Sequence, residues 1–354
     1  MRSHRTIYSW LLGMAMLFAS CTPSAEHTVC FFGSSVCKGV GADTLQGYAD
    51  CVGRLLPSGW KAINISVGGN NTYDLLARYE TDLLATQAKY VVIGLSLGNE
   101  GLHEKGERAL LSYRENMPRL IDMLQRDGRT VIVTNNYSRA DFNPVDYSDL
   151  CTVNLEVQQW NVTTINLFGT IDDGAGHWAA GYWDGIDIYH PNTRGHKALA
   201  SSFPPSLFTA LDQGKPLPQY VATGGNKSGV EAIGFTAEPG LESYTLAYTS
   251  NDTTYTIVYS DCRHCLQRYT NGECVATIEN YTDTTTHFSI AGKDICQLFF
   301  YRAAMTDIEV RALAEGKMLR SSLELYCPLL SGNTDNLAQT TNKIQLINNQ
   351  SINN

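Results

Sequence analysis

The sequence predicts an α/β domain built on a three-layer, doubly wound parallel sheet, followed by a smaller and mostly antiparallel β-sandwich domain. Two patterns support this prediction. From residue 28 to about 205, β-forming runs alternate with amphipathic stretches, and the runs are uniformly apolar, as in strands that helices cover on both faces. From residue 228 to 300, short Thr-, Tyr- and Val-rich runs alternate with turn residues, which is typical of antiparallel strands.

The first domain is predicted over residues 28–212. An alternating order of strands and helices favours a parallel sheet, and such sheets bind their ligands at the carboxyl ends of the strands. The predicted strands are Thr28–Phe32, Lys61–Ile65, Tyr90–Leu95, Thr130–Asn135 and Thr163–Leu167, and the predicted helices lie near 45–56, 72–87, 107–126, 148–160 and 192–203.

A Pro- and Gly-rich stretch predicts the boundary between the domains, with a linker over 213–227. The β-sandwich is expected over 228–340, and a polar, Asn-rich flexible tail over 341–354. One helix is predicted within the sandwich, because Thr306 can cap its first turn and Glu309 stands three residues later, as in a capping box.

Residues 1–20 are predicted to be a lipoprotein signal peptide. Two arginines precede an apolar run that is shorter than the roughly 20 residues of a membrane span. The small residues before Cys21 resemble a bacterial lipobox, so Cys21 is the expected lipidation site and 21–27 the expected tether. The alternative is an ordinary signal peptide with a nearby cysteine. The lipobox predicts an exported bacterial lipoprotein, in the periplasm or at the outer membrane or cell surface.

Composition excludes several partners. The chain has 354 residues and a formal net charge of −9, without a cluster of Lys or Arg, so nucleic acid is not expected and membrane contact is expected only through the lipid anchor. The disulfide pairing of the cysteines other than Cys21 cannot be read from the sequence. Cys262 and Cys265 form a C-x-x-C that lacks a second pair at zinc-finger spacing, so neither a metal site nor a cofactor is predicted.

Polar motifs follow the predicted strands, at the edge where ligands are expected. Ser35 lies in a Gly-Ser-Ser turn after the first strand, Gly69 in a Gly-Gly turn after the second, and Asn99 in a Gly-Asn-Glu turn after the third. Asp187 and His190 precede the last helix, and their spacing allows the carboxylate to hold one imidazole nitrogen. Each motif alone is weak, but their order along the chain is informative.

These motifs resemble the SGNH (GDSL-type) hydrolases, which have a flavodoxin-like sheet, over residues 28–205. The resemblance implies that Ser35 is a nucleophile, that His190 is its base and that Asp187 orients the base. It also implies an oxyanion hole formed by the backbone N–H of Ser35 and Gly69 and the side chain of Asn99, with no cofactor.

The sequence departs from the family pattern at two positions. Ser34 replaces the aspartate of Gly-Asp-Ser, and Glu100 replaces the aspartate common after the asparagine. Neither residue is the implied nucleophile, base or oxyanion donor. Asp184 is the rival carboxylate for His190, although its spacing fits less well.

Further residues are predicted to contact the substrate. Asn135, Asn136 and Tyr137 lie at the end of the fourth strand, and an aromatic loop before the Asp-x-x-His pair contains His177, Trp178 and Trp183. Aromatic side chains beside a polar site suit stacking on sugar rings, although a packed lid explains them equally well.

The segment 300–316 resembles the helix-bearing part of laminin-G-like (concanavalin A-like) domains, which are either structural or carbohydrate-binding. Together these features predict a serine esterase that removes acyl groups, in particular acetyl, from carbohydrate. The alternatives are a lipid acylhydrolase or thioesterase, and a non-catalytic glycan-binding surface lipoprotein. The oligomeric state is left open.

Overall fold

A five-stranded parallel sheet forms the centre of the first domain. In the computed structural model, which describes residues 27–223 and 227–347, its strands are β1 (Thr28–Gly33), β2 (Lys61–Asn64), β3 (Tyr90–Gly94), β4 (Thr130–Thr134) and β5 (Thr163–Ile165). Their order is β2-β1-β3-β4-β5, so the chain winds first to one side of β1 and then to the other. The predicted signal peptide, the lipidation site Cys21 and the last seven residues of the predicted tail lie outside the described residues.

Helices cover both faces of this sheet, which confirms the predicted three-layer fold. They are α1 (Ser35–Lys38), α2 (Tyr48–Leu55), α3 (Thr72–Ala77), α4 (Leu97–Glu100), α5 (Leu102–Lys105), α6 (Glu107–Arg126), α7 (Pro144–Val157), α8 (Thr193–Ser201) and α9 (Leu207–Asp212). Alternate residues of β1 enter different apolar clusters: Phe32 packs with α3, α6 and α7, whereas Phe31 packs with α2, α8 and α9. This is why every residue of β1 is buried and the strand shows no polar alternation.

The second domain consists of antiparallel strands, as predicted. These are β6 (Ala232–Thr236), β7 (Tyr244–Ser250), β8 (Thr253–Ser260), β9 (Cys265–Thr270), β10 (Glu273–Glu279), β11 (His287–Ala291), β12 (Ile295–Tyr301), β13 (Leu323–Cys327) and β14 (Ile344–Leu346). They form a six-stranded sheet, β10-β9-β8-β7-β12-β13, and a three-stranded sheet, β11-β6-β14. Phe235 and Phe288 of the small sheet pack against Phe300 of the large one, so the two sheets share one apolar core.

Two features of the second domain bear on the sequence predictions. The helix α10 (Asp307–Ala314) follows Thr306, whose N–H donates to Oε2 of Glu309 at 2.7 Å, as expected for a capping box. The prediction of a flexible tail over 341–354 is wrong for the residues of β14, because this strand pairs with β6. The reason is that Ile344 is buried in the apolar core of the sandwich.

The second domain covers the edge of the parallel sheet at β5. The N–H of Ser322 donates to the carbonyl of Thr164 at 3.0 Å, and that of Ala304 donates to the carbonyl of Gly169 at 3.1 Å. Gly169 is required here because a Cβ at this position would lie 2.2 Å from the carbonyl oxygen of Ala304. The edge of β5 is thus paired rather than left open.

A buried arginine fastens the two domains together. The guanidinium of Arg302 pairs with Glu324 at 2.7 Å, and both side chains are almost fully buried. The same guanidinium donates to the carbonyls of Glu238 and Pro239 and, through Nε, to the carbonyl of Ser201 at the end of α8. Each of the three guanidinium nitrogens thus has at least one partner, as a buried charge requires.

Other structural findings concern membranes and cysteines. Within residues 27–223 and 227–347, no helix has the length and apolar character needed to cross a bilayer. Eight cysteines in that part of the chain are free thiols, and six of these are buried: Cys30, Cys37, Cys151, Cys262, Cys265 and Cys327 are buried, and Cys51 and Cys274 are not.

We expect Arg302→Met to lower the free energy of unfolding by about 3–5 kcal/mol, because it leaves Glu324 buried without its counter-charge. The measurement is equilibrium denaturation in urea. Arg268→Met is the matched control: Arg268 is exposed on β9, and its loss should cost less than about 0.5 kcal/mol. Equal costs for the two variants would contradict the role assigned to Arg302.

Candidate active site

The first predicted motif lies where β1 ends against β3. Ser34 and Ser35 turn the chain into α1, and the N–H of Ser34 donates to the carbonyl of Gly94 at 3.1 Å. The two strand ends approach so closely that a Cβ on Gly33 would lie 2.0 Å from the carbonyl oxygen of Gly94. Glycine at position 33 therefore allows the serine turn to sit at the carboxyl edge of the sheet.

A cavity of about 430 Å³ opens at this edge. It is lined by Ser35, Val40, Gly68, Gly69, Ser96, Gly98, Asn99, Tyr137, Arg139, Tyr189 and His190. Of the residues predicted from the sequence, Ser35, Gly69, Asn99 and His190 thus meet in one space, although they are far apart in the chain. Such a mixed lining of apolar and convergent polar groups is typical of a small-molecule site.

The imidazole of His190 is held by a carboxylate. Its Nδ1 lies 2.7 Å from Oδ2 of Asp187, and Oδ1 of Asp187 accepts the N–H of Tyr189 at 3.0 Å. Since Nδ1 is engaged, Nε2 is the ring nitrogen left for the cavity. The rival carboxylate, Asp184, instead accepts the N–H groups of Ile186 and Asp187, and these hydrogen bonds lower the pKa of Asp184.

Gly69 belongs to a tight turn beside Ser35. The N–H of Asn70 donates to the carbonyl of Val67 at 3.2 Å, and Gly69 has a φ of 80°, which disfavours residues with a side chain. A Cβ on the adjacent Gly68 would lie 3.7 Å from the Cβ of Ser35, so this turn is packed directly against the serine.

Asn99 lies in α4, and a buried serine fixes its side chain. The Oγ–H of Ser34 donates to Oδ1 of Asn99 at 2.9 Å. Because the amide oxygen is occupied, the amide NH₂ remains as the donor that Asn99 can offer to a ligand. Ser34, one of the two departures from the family pattern, thus orients the side chain of Asn99.

The second departure, Glu100, also joins two segments of the site. Its Oε1 accepts the N–H of Thr72 at 2.6 Å, where α3 begins just after the Gly69 turn. Glu100 is buried, and burial raises the pKa of its carboxyl group. The carboxylate therefore ties the segment that carries Asn99 to the segment that carries Gly69.

Arg139 lines the cavity and was not predicted from the sequence. Its Nη1 donates to the carbonyl of Gly98 at 2.9 Å, its Nε donates to Asp141 at 2.9 Å, and the guanidinium lies 4.6 Å from the centre of the Tyr189 ring. It thereby connects the Asn99 segment to the His190 segment. No local motif marks Arg139, because these contacts exist only once the loop after β4 has folded over the sheet edge.

The structure does not bring the predicted aromatic and amide contacts into this cavity. Asn135 is fully buried and bonds to Asn166 and to the N–H of Phe168, where it joins the ends of β4 and β5. Trp178 is also buried, stacks on Tyr137 at 5.6 Å and donates to the carbonyl of Ile188. Both polar groups are therefore occupied by internal hydrogen bonds.

The two remaining predicted contacts also lie elsewhere. Trp183 is partly buried against the apolar cluster beneath α2 and α8. His177 bonds to Asp173 at 3.3 Å, near the bridge between Asp172 and Trp178. The aromatic loop therefore acts as packing that supports the His190 segment, and Tyr137 is the aromatic residue near β4 that reaches the cavity.

The described residues show no metal centre. Within residues 27–223 and 227–347, no three His, Cys, Asp or Glu side chains form a cluster suited to holding a metal ion. The cavity at the sheet edge instead presents an imidazole, hydroxyls, an amide and a guanidinium. The doubly wound sheet and a polar cavity at its carboxyl edge are typical of α/β enzymes.

The sequence matches the model of the GDSL-like lipase/acylhydrolase family over residues 31–198. The matched segment spans most of the first domain but just under half of the chain, and this match supports a hydrolase of the esterase type. The matched residues include the end of β1, the strands β2 to β5 and all residues that line the cavity. A search of curated proteins finds no match.

Solved structures similar to the chain include three hydrolase-type proteins. One is a candidate lipolytic protein of the G-D-S-L family from Desulfitobacterium hafniense DCB-2, with 15% identity over 49% of this chain and 96% of that one, and a TM-score of 0.43. Another is a mutant of Axe2, an acetylxylan esterase from Geobacillus stearothermophilus, with 18% identity over 49% and 90%, and a TM-score of 0.40. The third is the lipase Lip_vut3 from a goat rumen metagenome, with 18% identity over 49% and 93%, and a TM-score of 0.41.

A second histidine, His196, contacts the backbone of Val40, which lines the cavity. It is fully buried: the N–H of Tyr48 donates to its Nδ1 at 3.2 Å, and its Nε2 lies 2.9 Å from the carbonyl oxygen of Val40. Burial lowers the pKa of His196 to about 4, since a second ring proton would enter a dry site and face the N–H of Tyr48.

This environment predicts a pH-dependent stability. The unfolded chain binds a proton on His196 near pH 6.5, whereas the folded chain does so only near pH 4, so stability is lost as the pH falls through this window. Between pH 7 and pH 5 the wild type should lose about 2 kcal/mol more than His196→Gln, as measured by urea unfolding. His177→Gln, at a half-exposed site, should show the full wild-type loss. Identical pH profiles for wild type and His196→Gln would contradict this assignment.

Proposed function

We propose that the protein is a serine esterase that removes acyl groups, in particular acetyl, from carbohydrate. One observation carries the proposal: Ser35, Gly69, Asn99 and His190 line one cavity, and Asp187 holds the imidazole of His190 at 2.7 Å. A nucleophile, a base fixed by a carboxylate and donors for an oxyanion are the groups that acyl transfer requires.

In the proposed mechanism, Oγ of Ser35 attacks the ester carbonyl while Nε2 of His190 accepts its proton. Asp187 keeps the imidazole in the correct tautomer and stabilises its cation. The oxyanion accepts hydrogen bonds from the backbone N–H of Ser35 and Gly69 and from the amide of Asn99. His190 then returns the proton to the leaving alcohol, and a water molecule, activated by the same imidazole, hydrolyses the acyl-enzyme.

The carbohydrate part of the proposal rests on the rim of the cavity. Tyr189 is about half exposed, and the guanidinium of Arg139 is stacked on its ring. An accessible aromatic face can stack on a sugar ring, and the neighbouring guanidinium offers hydrogen bonds to hydroxyl groups. Val40 and the ring of Tyr137 supply apolar surface suited to the methyl group of an acetyl ester.

A lipid acylhydrolase or thioesterase is the second candidate, because Ile186 beside the Asp187 turn is 85% exposed. An exposed apolar side chain near the cavity could contact an acyl chain. Two kinds of substrate distinguish this candidate from a carbohydrate deacetylase. Initial rates are measured on 4-nitrophenyl esters of increasing chain length and on acetylated xylo-oligosaccharides. Carbohydrate deacetylation predicts highest kcat/KM for acetyl substrates, whereas a rise with chain length would favour lipid.

We also propose that the protein is an exported lipoprotein anchored through Cys21, on the basis of its N-terminal sequence alone. Its laminin-G-like resemblance is likewise a proposal for the second domain, and it leaves a non-catalytic glycan-binding protein as a third candidate. Absence of hydrolysis of every short acyl ester by the wild type would favour that candidate.

We expect Ser35→Ala to lower kcat on 4-nitrophenyl acetate by at least about 10³-fold, because the nucleophile is removed. Ser138→Ala is the matched control. Ser138 is fully buried, does not line the cavity, and its hydroxyl has no hydrogen-bond partner, so its loss should leave kcat within about twofold. If Ser35→Ala retains wild-type activity, the assignment of the nucleophile is wrong.

We expect Ser34→Ala to lower kcat about tenfold with little change in KM. The reason is that it frees the amide of Asn99 to rotate away from the oxyanion without removing a group that touches substrate. The measurement is a kcat and KM comparison with Asn99→Ala. The double variant should be no worse than Asn99→Ala alone, and additive losses would show that Ser34 acts independently of Asn99.

A further inference from the structure

A second cavity, of about 350 Å³, lies between the two domains. Its walls come from Tyr147, Cys151, Gly169, Asp172 and Gly174 of the first domain and from Ser260, Arg263, Gln267 and residues 304–308 of the second. It shares no lining residue with the cavity that contains Ser35. Its volume lies within the range of small-molecule pockets, which is about 300–1,000 Å³.

This interdomain cavity contains a buried acceptor without a donor. Asp172 is 6% exposed, and its Oδ2 accepts the Oη–H of Tyr147 at 3.0 Å. Its Oδ1 is buried and has no hydrogen-bond partner. An unpartnered carboxylate oxygen in a buried position costs free energy, so a ligand that donates a hydrogen bond there would be stabilised.

The same cavity contains a buried donor without an acceptor. Arg263 enters from the second domain, and its Nε is buried without a hydrogen-bond partner. Gly174 borders the guanidinium closely, since a Cβ on Gly174 would lie 3.1 Å from Nη1 of Arg263. Gln267, on β9, adds an amide to the same wall.

These two unpartnered atoms restrict the chemistry of the ligand. An anion would accept a hydrogen bond from Arg263 but would be repelled by the carboxylates of Asp172 and Asp307 at the cavity wall. A cation would be attracted by these carboxylates but repelled by the guanidinium of Arg263. A hydroxyl group both donates and accepts hydrogen bonds, so neighbouring hydroxyls on one neutral ring can satisfy Asp172 and Arg263 together.

We propose that the interdomain cavity binds a sugar residue, with hydroxyls that donate to Oδ1 of Asp172 and accept from Nε–H of Arg263. A neighbouring hollow of about 430 Å³ shares Gly174, Arg263 and Gln267 with the cavity, so a glycan chain can continue beyond the bound residue. This site is independent of the proposed esterase chemistry, because neither cavity contributes a residue to the other.

The test is a binding titration on the intact two-domain protein that carries Ser35→Ala, which prevents turnover. The probes are the methyl glycosides of xylose, glucose, galactose and N-acetylglucosamine, with sodium sulfate as the anionic probe, followed by calorimetry and saturation-transfer NMR. We expect saturable binding of at least one glycoside and none of sulfate. If no glycoside binds, only water fills the cavity and the proposal is overturned. Sulfate binding that depends on Arg263 would also overturn the proposal.

Variants then locate the site. Arg263→Met should weaken glycoside binding at least about tenfold, whereas Arg268→Met, at an exposed position of β9, should leave it unchanged. Gln267→Ala, which removes only a half-buried side chain, should also weaken glycoside binding. If Arg263→Met lowers the melting temperature, Gln267→Ala is the variant that tests whether binding depends on the cavity. Binding that survives Arg263→Met and Gln267→Ala, or that Arg268→Met weakens as much as Arg263→Met does, overturns the proposal.

Discussion

The close approach of Gly33 to Gly94 is the constraint on which the active-site edge depends. With no Cβ between them, the ends of β1 and β3 come together, and the N–H of Ser34 reaches the carbonyl of Gly94. This contact brings the Ser35 turn to the same edge as Asn99, which follows β3. A side chain at position 33 would push the two strand ends apart and separate the nucleophilic turn from the amide.

Ser34 and Glu100, the two departures from the GDSL-type pattern, both form hydrogen bonds at this edge of the sheet. Ser34 donates to Asn99, and Glu100 accepts from the N–H of Thr72, so each replacement still joins neighbouring strand-end segments. Both side chains are buried, and a buried polar group that lacks a hydrogen-bond partner costs free energy. The segments around Ser35, Gly69 and Asn99 are therefore held as one unit before any ligand binds.

The second domain stabilises the sheet at its other side. It pairs with the edge of β5, and Arg302 carries a buried charge that bonds to both domains. The interface is not filled completely, since the cavity containing Asp172 and Arg263 remains between the domains. The hydrogen bond from Ala304 to Gly169, two residues that also line this cavity, holds the domains together beside the polar space.

The strands of the first domain, their parallel arrangement and the order of the motifs at Ser35, Gly69, Asn99 and His190 could be predicted from the sequence, because apolar runs and turn residues are local signals. The capped helix α10 could be predicted for the same reason. Three features could not: Arg139 lines the cavity, Asn135 and Trp178 are internal supports, and Ile344 is buried in the core of the sandwich. A local pattern states which residues prefer burial or turns, but the partner of a buried polar group is chosen by distant segments that meet only in the folded chain.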